Sequence, residues 1–204
     1  MLLDQLDKYK IIQPKLVGTN ELSLGNIPDI IFTMNDFPRK KINNKDGYSH
    51  LFLKSERKNQ KLYSLFSTVN GMFLWSQKLV LILKNQYKEN HLDGVQFFPV
   101  TVKTKNNDIL SENYYLINNL HVKKIIDYKK SEIEWITNKN VHLILDINKF
   151  VPLYEKGEKI PLVEVKELPG VYFIHDSVVA EIKKQKIKDI IILDPEDENS
   201  YGLF

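Results

Sequence analysis

Two stretches of the chain repeat one pattern of apolar and polar positions. "GMFLWSQKLVLILKNQ", beginning at Gly71, opens on a short apolar strand signal and passes Ser76, a suitable helix N-cap. It then sets Leu79, Ile82, Leu83 and Tyr87 along one helical face. "GVYFIHDSVVAEIKKQ", beginning at Gly170, repeats the construction. Here "VYFI" is the strand signal, Asp176 or Ser177 the expected cap, Val178, Val179 and Ile182 the apolar stripe, and "IIIL" from Ile190 the closing strand. Aligned, Gly71 meets Gly170, Phe73 meets Tyr172, Leu79 and Val80 meet Val178 and Val179, Leu83 meets Ile182, and Gln86 meets Gln185. The first copy carries four extra residues, about "KENH", before its last strand, and Pro99 and Pro195 follow the two final strands. Each copy therefore predicts strand, short helix, strand, with an apolar helix stripe that needs a sheet to cover it.

Around these units the pattern is one of short strands. "YKIIQP", "DIIFTM", "HLFLK" and "KLYSLF" are separated by Pro14, Gly18, Gly25, Pro28, Pro38 and Gly47, and "KKINNKDG", Lys40 to Gly47, has the chemistry of an exposed loop. "VQFFPVTVK" reads as a strand in which Pro99 marks an edge or a break. Asn106, Asn107 and Asp108 then turn it into a hairpin with "ILSENYYLINN". A second hairpin is expected in "SEIEWITNKNVHLILD". Ile133 and Trp135 alternate with Glu132 and Glu134, "TNKN" turns, and Val141, Leu143 and Leu145 alternate with His142 and Ile144. "IPLVEVKEL" supplies one more strand. The fold class is α+β: mostly antiparallel strands and hairpins, two principal helices, and an internal strand-helix-strand duplication. The expected division is a strand-rich part, 1–98, ending in the first unit, and a part, 99–204, ending in the second; the alternative is one compact domain.

Composition narrows the classes. The 204 residues, 43% hydrophobic and 27% charged, belong to an ordinary folded chain, and the absence of cysteine removes disulfides, thiolate metal sites and cysteine nucleophiles. "MLLDQLDKYK" lacks the apolar core of a signal peptide, and the longest apolar run, "LVLIL", falls far short of the ~20 residues that cross a bilayer, so a cytoplasmic protein without a membrane span is expected. The net charge of +3 is unevenly held: residues 1–100 carry 14 Lys/Arg against 9 Asp/Glu, residues 101–204 carry 15 against 17. The basic excess gathers in Pro38 to Lys61, and "LDPEDENSYGLF" is acidic, an asymmetry that suits a protein partner.

Candidate chemistry is sparse. His50, His91, His121, His142 and His175 are scattered without metal-site spacing, so structural or surface roles are expected and no metal or cofactor is assigned. No phosphate-cradling glycine loop and no nucleophile elbow occurs. The carboxylates at Glu132 and Glu134, and at Asp194, Glu196, Asp197 and Glu198, read as solvated surface. The segment 38–61 interleaves Arg39, Lys40, Lys41, Lys45, Lys54, Arg57, Lys58 and Lys61 with Tyr48, Phe52 and Tyr63, which makes nucleic-acid binding the alternative function.

The second half resembles a known family. "NYYLINNLHVKKIIDYKKSEIEWI", "LILDINKF" and "LPGVYFIHDSVVAEIKKQKIKDIIILDP" follow the order of bacterial immunity protein family eleven of polymorphic toxin systems. The matching positions are Tyr114, Tyr115, Leu116 and Asn118, then Asp127, Lys130 and Ser131, then Leu145 and Asp146, then Val171 to Leu193. The resemblance runs from Phe98 onward, and immunity protein family forty-three is close enough in layout to rival it. It implies a non-enzymatic protein, made beside a toxin, that occupies that toxin by stoichiometric contact; it supplies no catalytic residue. For a basic toxin, the acids Asp194, Glu196, Asp197 and Glu198 are the expected place of electrostatic steering.

Overall fold

The computed structural model describes residues 8–15, 22–25, 40–41, 51–55, 62–67, 73–104, 106–137, 142–153 and 158–197, with the backbone alone for 22–25 and 51–55. Gly71, "DIIFTM", most of the Lys40–Gly47 loop, the "TNKN" turn after Thr137, and Val141 lie outside the described residues.

The helix signals are realised. Helix α1, Gln77–Gln86, starts at Ser76, whose side chain accepts from the Leu79 N–H at 3.5 Å, and buries Leu79, Val80, Ile82 and Leu83. Helix α2, Asp176–Lys184, buries Val178, Val179 and Ile182. Its cap is neither Asp176 nor Ser177 but His175. The extended backbone ends at His175, whose Nδ1 accepts from the Ser177 N–H at 3.1 Å. Asp176 thereby enters the first turn, where its charge meets the positive end of the helix dipole.

Strands β1 (Tyr9–Pro14), β2 (Leu22–Gly25), β3 (Leu51–Ser55), β4 (Leu65–Ser67), β5 (Phe73–Ser76), β6 (Val95–Thr104), β7 (Ile109–Asn119), β8 (Glu132–Thr137), β9 (His142–Lys149), β10 (Leu162–Val165), β11 (Leu168–His175) and β12 (Ile190–Leu193) form three sheets. Their orders are β10-β11-β1-β12, β2-β3-β6-β7-β5-β4, and the β8-β9 hairpin. The pairs are antiparallel except β3 with β6, and the architecture is α+β. Pro99 sits inside β6 opposite Tyr115, and among the described residues β3 pairs with β6 from Val100 onward. The β6–β7 turn passes through Asn107 at φ 69°, a conformation asparagine tolerates.

The two repeated stretches prove to be two copies of one four-stranded unit. In the first, β5 and β6 run parallel with β7 antiparallel between them, and β4 lies outside β5; in the second, β11 and β12 flank β1, and β10 lies outside β11. This is a split βαβ arrangement with an added edge strand. The registers coincide residue for residue. Leu74 faces Leu116 and Phe66 as Phe173 faces Ile11 and Val163, and Phe98 faces Leu116 as Leu193 faces Ile11. Even the side-chain bonds recur. Tyr114 donates its hydroxyl to the Tyr63 carbonyl at 2.6 Å, and the corresponding Tyr9 donates to the Ile160 carbonyl at 3.1 Å. The cap residues match as well: Ser76 N–H donates to the Ser64 carbonyl at 2.9 Å, His175 N–H to the Pro161 carbonyl at 3.0 Å. The copies differ in where the middle strand comes from. In the first it is β7, which follows β6; in the second it is β1, from the opposite end of the sequence.

The two units share a core. α1 packs on α2, Lys78 Nζ donates to the Gln185 carbonyl at 3.2 Å, and Phe73 meets its counterpart Tyr172 with ring centroids 5.3 Å apart. Both helical stripes and the helix-facing residues Ile12, Leu65, Trp75, Ile117, Leu162 and Ile174 lie in one cluster. On the other face of the second unit, Tyr9, Ile11, Val163 and Phe173 are covered by Ile125, Ile126, Ile144, Ile147 and Phe150, which tie the β8–β9 hairpin to the sheet.

Candidate functional site

Three polar regions stand out from this scaffold. The first is the acidic end. After β12 the chain turns, with the Asp197 N–H donating to the Asp194 carbonyl at 3.0 Å and the Glu196 N–H to Asp194 Oδ1 at 3.1 Å. Asp194 is ion-paired with Lys10. Burial acts to raise its pKa, but the Lys10 hydrogen bond, the Glu196 N–H and the charges of Lys10 and Lys8 hold it below the ordinary carboxylate value. The pair occupies the place at which Tyr115 and Pro99 oppose each other in the first copy. Beside it a small pocket is lined by Lys8, Lys10 and Glu196 together with the apolar Phe150, Leu153 and Pro195. The charge here is mixed rather than uniformly negative. Glu196 and Asp197 are exposed, and Glu198 lies outside the described residues.

The second region gathers two histidines that the sequence keeps apart. α1 ends at Tyr87, and a 3-10 helix, Glu89–Gly94, follows in the place of the first copy's extra residues. It carries His91 against His121, edge to face at 5.9 Å, with His121 stacked on Tyr87 at 5.8 Å. His121 Nε2 lies 2.8 Å from the His91 carbonyl, which only accepts, so Nε2 carries the proton. His91 Nε2 meets Glu158 at 2.6 Å, and this contact holds the Glu158 pKa below its ordinary value. Burial pushes the His121 pKa down and the Tyr87 phenol far up. Gly94 permits the stack, since a Cβ there would sit 2.3 Å from His121 Cε1. No spacing rule flags this group, because Glu158 lies 67 residues from His91. His142 stacks on Trp135 and His175 caps α2, while His50 lies outside the described residues. Among the described residues no group of three His, Asp or Glu is placed to hold a metal ion.

The third region is the β8–β9 hairpin. Its sequence alternation sets Leu143 and Leu145 opposite in sense to His142 and Ile144, and the structure buries the Ile144 side. Two bulges cause this: β9 spends an extra residue between the partners of Glu132 and Ile133, and another between those of Glu134 and Trp135. Ile144 and Ile147 then both reach the core, while Leu145 turns outward and is 51% exposed. The hairpin is held from one side. The Ile144 N–H donates to the Glu167 carbonyl at 2.7 Å, and Tyr128, edge-on to Trp135, donates to Glu167 Oε2 at 2.5 Å.

These features sit on a chain of which residues 13–191 match the model of an immunity protein family, Imm11. The chain belongs to that family. The match extends the resemblance well before Phe98, across the first copy and into β1. Among the curated proteins, none matches the chain. The positions that carried the resemblance to Imm11 have identifiable structural work. Asp127 opens a turn in which its carboxylate pairs with Lys130 at 3.2 Å and accepts from the Lys129 N–H, also at 3.2 Å. Ser131 Oγ accepts from the Val151 N–H at 2.9 Å, locking that turn to the end of the hairpin. Asn118 donates to the Gln96 side chain and to the Lys40 carbonyl. Of the basic segment, Lys40 and Lys41 are exposed and Lys41 lies 4.0 Å from Asp93; Arg39, Lys45, Arg57, Lys58, Lys61 and Tyr48 lie outside the described residues.

Proposed function

We propose that this Imm11 chain neutralises a cognate bacterial toxin by stoichiometric protein–protein contact in the cytoplasm of the cell that makes both. The family match over residues 13–191 is the observation that carries this reading. Support comes also from the architecture: a duplicated, well-packed unit is a rigid platform, and rigid platforms lose little entropy when they bind. Steering of a basic toxin falls to the acidic run Asp194, Glu196, Asp197 and Glu198, in which Asp194 is ion-paired with Lys10.

The test is to co-express the chain with the toxin encoded beside its gene and to titrate the purified toxin. Growth should be restored, and inhibition should be complete at one equivalent. Failure to restore growth overturns the proposal, and inactivation by far less than one equivalent would mark an enzyme instead. In the variant Glu196→Gln/Asp197→Asn/Glu198→Gln the association rate should drop several-fold at low salt and lose its salt dependence. An unchanged rate would remove the acidic end from the encounter.

A further inference from the structure

The outer face of the β8–β9 hairpin has features that packing does not require. β8 has β9 on one side and, among the described residues, neither a strand nor an outside backbone hydrogen bond on the other. Glu132, Glu134 and Ile136 alternate along its outer face, all exposed. Across the ladder Glu132 faces Lys149, but Glu134 faces Asp146, two like charges directly opposite. Among the described residues no cation meets that pair. Glu134 accepts from the Asn148 side chain at 3.3 Å and Asp146 from the Ile147 N–H at 2.8 Å. The bulge beside Asp146 has turned Leu145 out, 51% exposed, and Ile136, 44% exposed, faces Leu143 across the same ladder.

A strand edge and a carboxylate pair that no described residue pairs, with exposed aliphatics on the same hairpin, define a complement. We propose that β8 takes an extended, basic segment of the toxin as an added strand, with a lysine or arginine over Glu134 and Asp146 and an aliphatic side chain against Ile136 and Leu145. The added strand receives main-chain hydrogen bonds from β8, and its period-two side chains read the alternating face. A second copy of this chain is a poor occupant, because pairing two such edges would bring acid onto acid. Nucleic acid is repelled by the same charges. The occupant named here rests on the toxin-binding reading above.

The experiment has two arms. In the first, the full-length 15N-labelled protein is titrated with a capped hexapeptide alternating arginine and valine, and with its glutamate–valine counterpart. The basic peptide should shift the amides of 132–137 and 143–146 in a salt-dependent way, the acidic one should not, and Glu134→Gln/Asp146→Asn should weaken binding at least tenfold. Shifts elsewhere, or binding indifferent to that variant, overturn the site. In the second arm Glu134→Arg and Ile136→Asp should each weaken toxin binding at least tenfold. If both bind the toxin like the wild type, the hairpin falls as its docking site while the toxin reading stands. If the wild type itself fails to bind, the toxin falls as occupant, and the peptide arm tells that failure apart from loss of the basic-strand site.

Discussion

The two copies of the strand-helix unit are alike where they face each other and unlike where they face away. Trp75, Leu79, Val80 and Leu83 of the first and Ile174, Val178, Val179 and Ile182 of the second all enter one core, and Phe73 touches its own counterpart Tyr172. Away from that seam the first copy prolongs β6 and adds β3 and β2, whereas the second ends β12 in the acidic turn and carries the β8–β9 hairpin on its far face. A duplicated scaffold constrains its shared core through packing density, since each side chain there must fit a neighbour from the other copy. Its outer faces carry no such requirement, and that is where the charge and the exposed aliphatics have collected.

The sharpest way to break this comparison is to truncate equivalent core residues. Leu83 and Ile182 are 1% and 2% exposed in the same cluster, and Leu83→Ala and Ile182→Ala should each cost about 2–5 kcal/mol. Urea unfolding, followed by circular dichroism and by tryptophan fluorescence, should keep a single transition in both variants. A split into two transitions would show that the copies are separate cooperative units. Smaller is the effect at a feature that the first copy alone possesses. Gly94→Ala drives a methyl into a histidine held by the Tyr87 stack and the His91 carbonyl, and should cost about 1–3 kcal/mol. The penalty should shrink on a His121→Ala background, and equal penalties on both backgrounds would refute the clash. The smallest effect tests the equivalence itself. Tyr114→Phe and Tyr9→Phe should each cost about 0.5–1.5 kcal/mol, the former more because its bond is shorter and fully buried. A cost at only one of them in denaturant unfolding would mean that the repeated hydrogen bond is a coincidence of geometry.

Much of this was legible without coordinates. Helical periodicity located α1 and α2 and their strands, because a three-turn amphipathic helix leaves a pattern strong enough to read locally. The cap of α2 is His175 rather than Asp176 or Ser177, one or two residues earlier than the sequence suggests, since histidine is an unusual cap and two favoured cap residues follow it. In the hairpin, period-two alternation marked both strands but not the buried side of β9, because each bulge advances one strand by a residue. The histidine group left no trace in spacing, and the pairing of Asp194 with Lys10 joins residues at opposite ends of the chain.

The sequence by itself determined the elements, the repeat of one hydrophobic pattern, the family, and the uneven distribution of charge. The elements, the repeat and the charge distribution follow from local periodicity and composition, whereas the family rests on the order of its matching residues and on the match over residues 13–191. Only the tertiary structure decided that β1 completes the second copy as β7 completes the first, that Lys10 meets Asp194, and that Glu134 and Asp146 face each other across the ladder. Strand order and cross-strand partners are set by which buried faces pack together across the whole chain. No window of neighbouring residues contains that information.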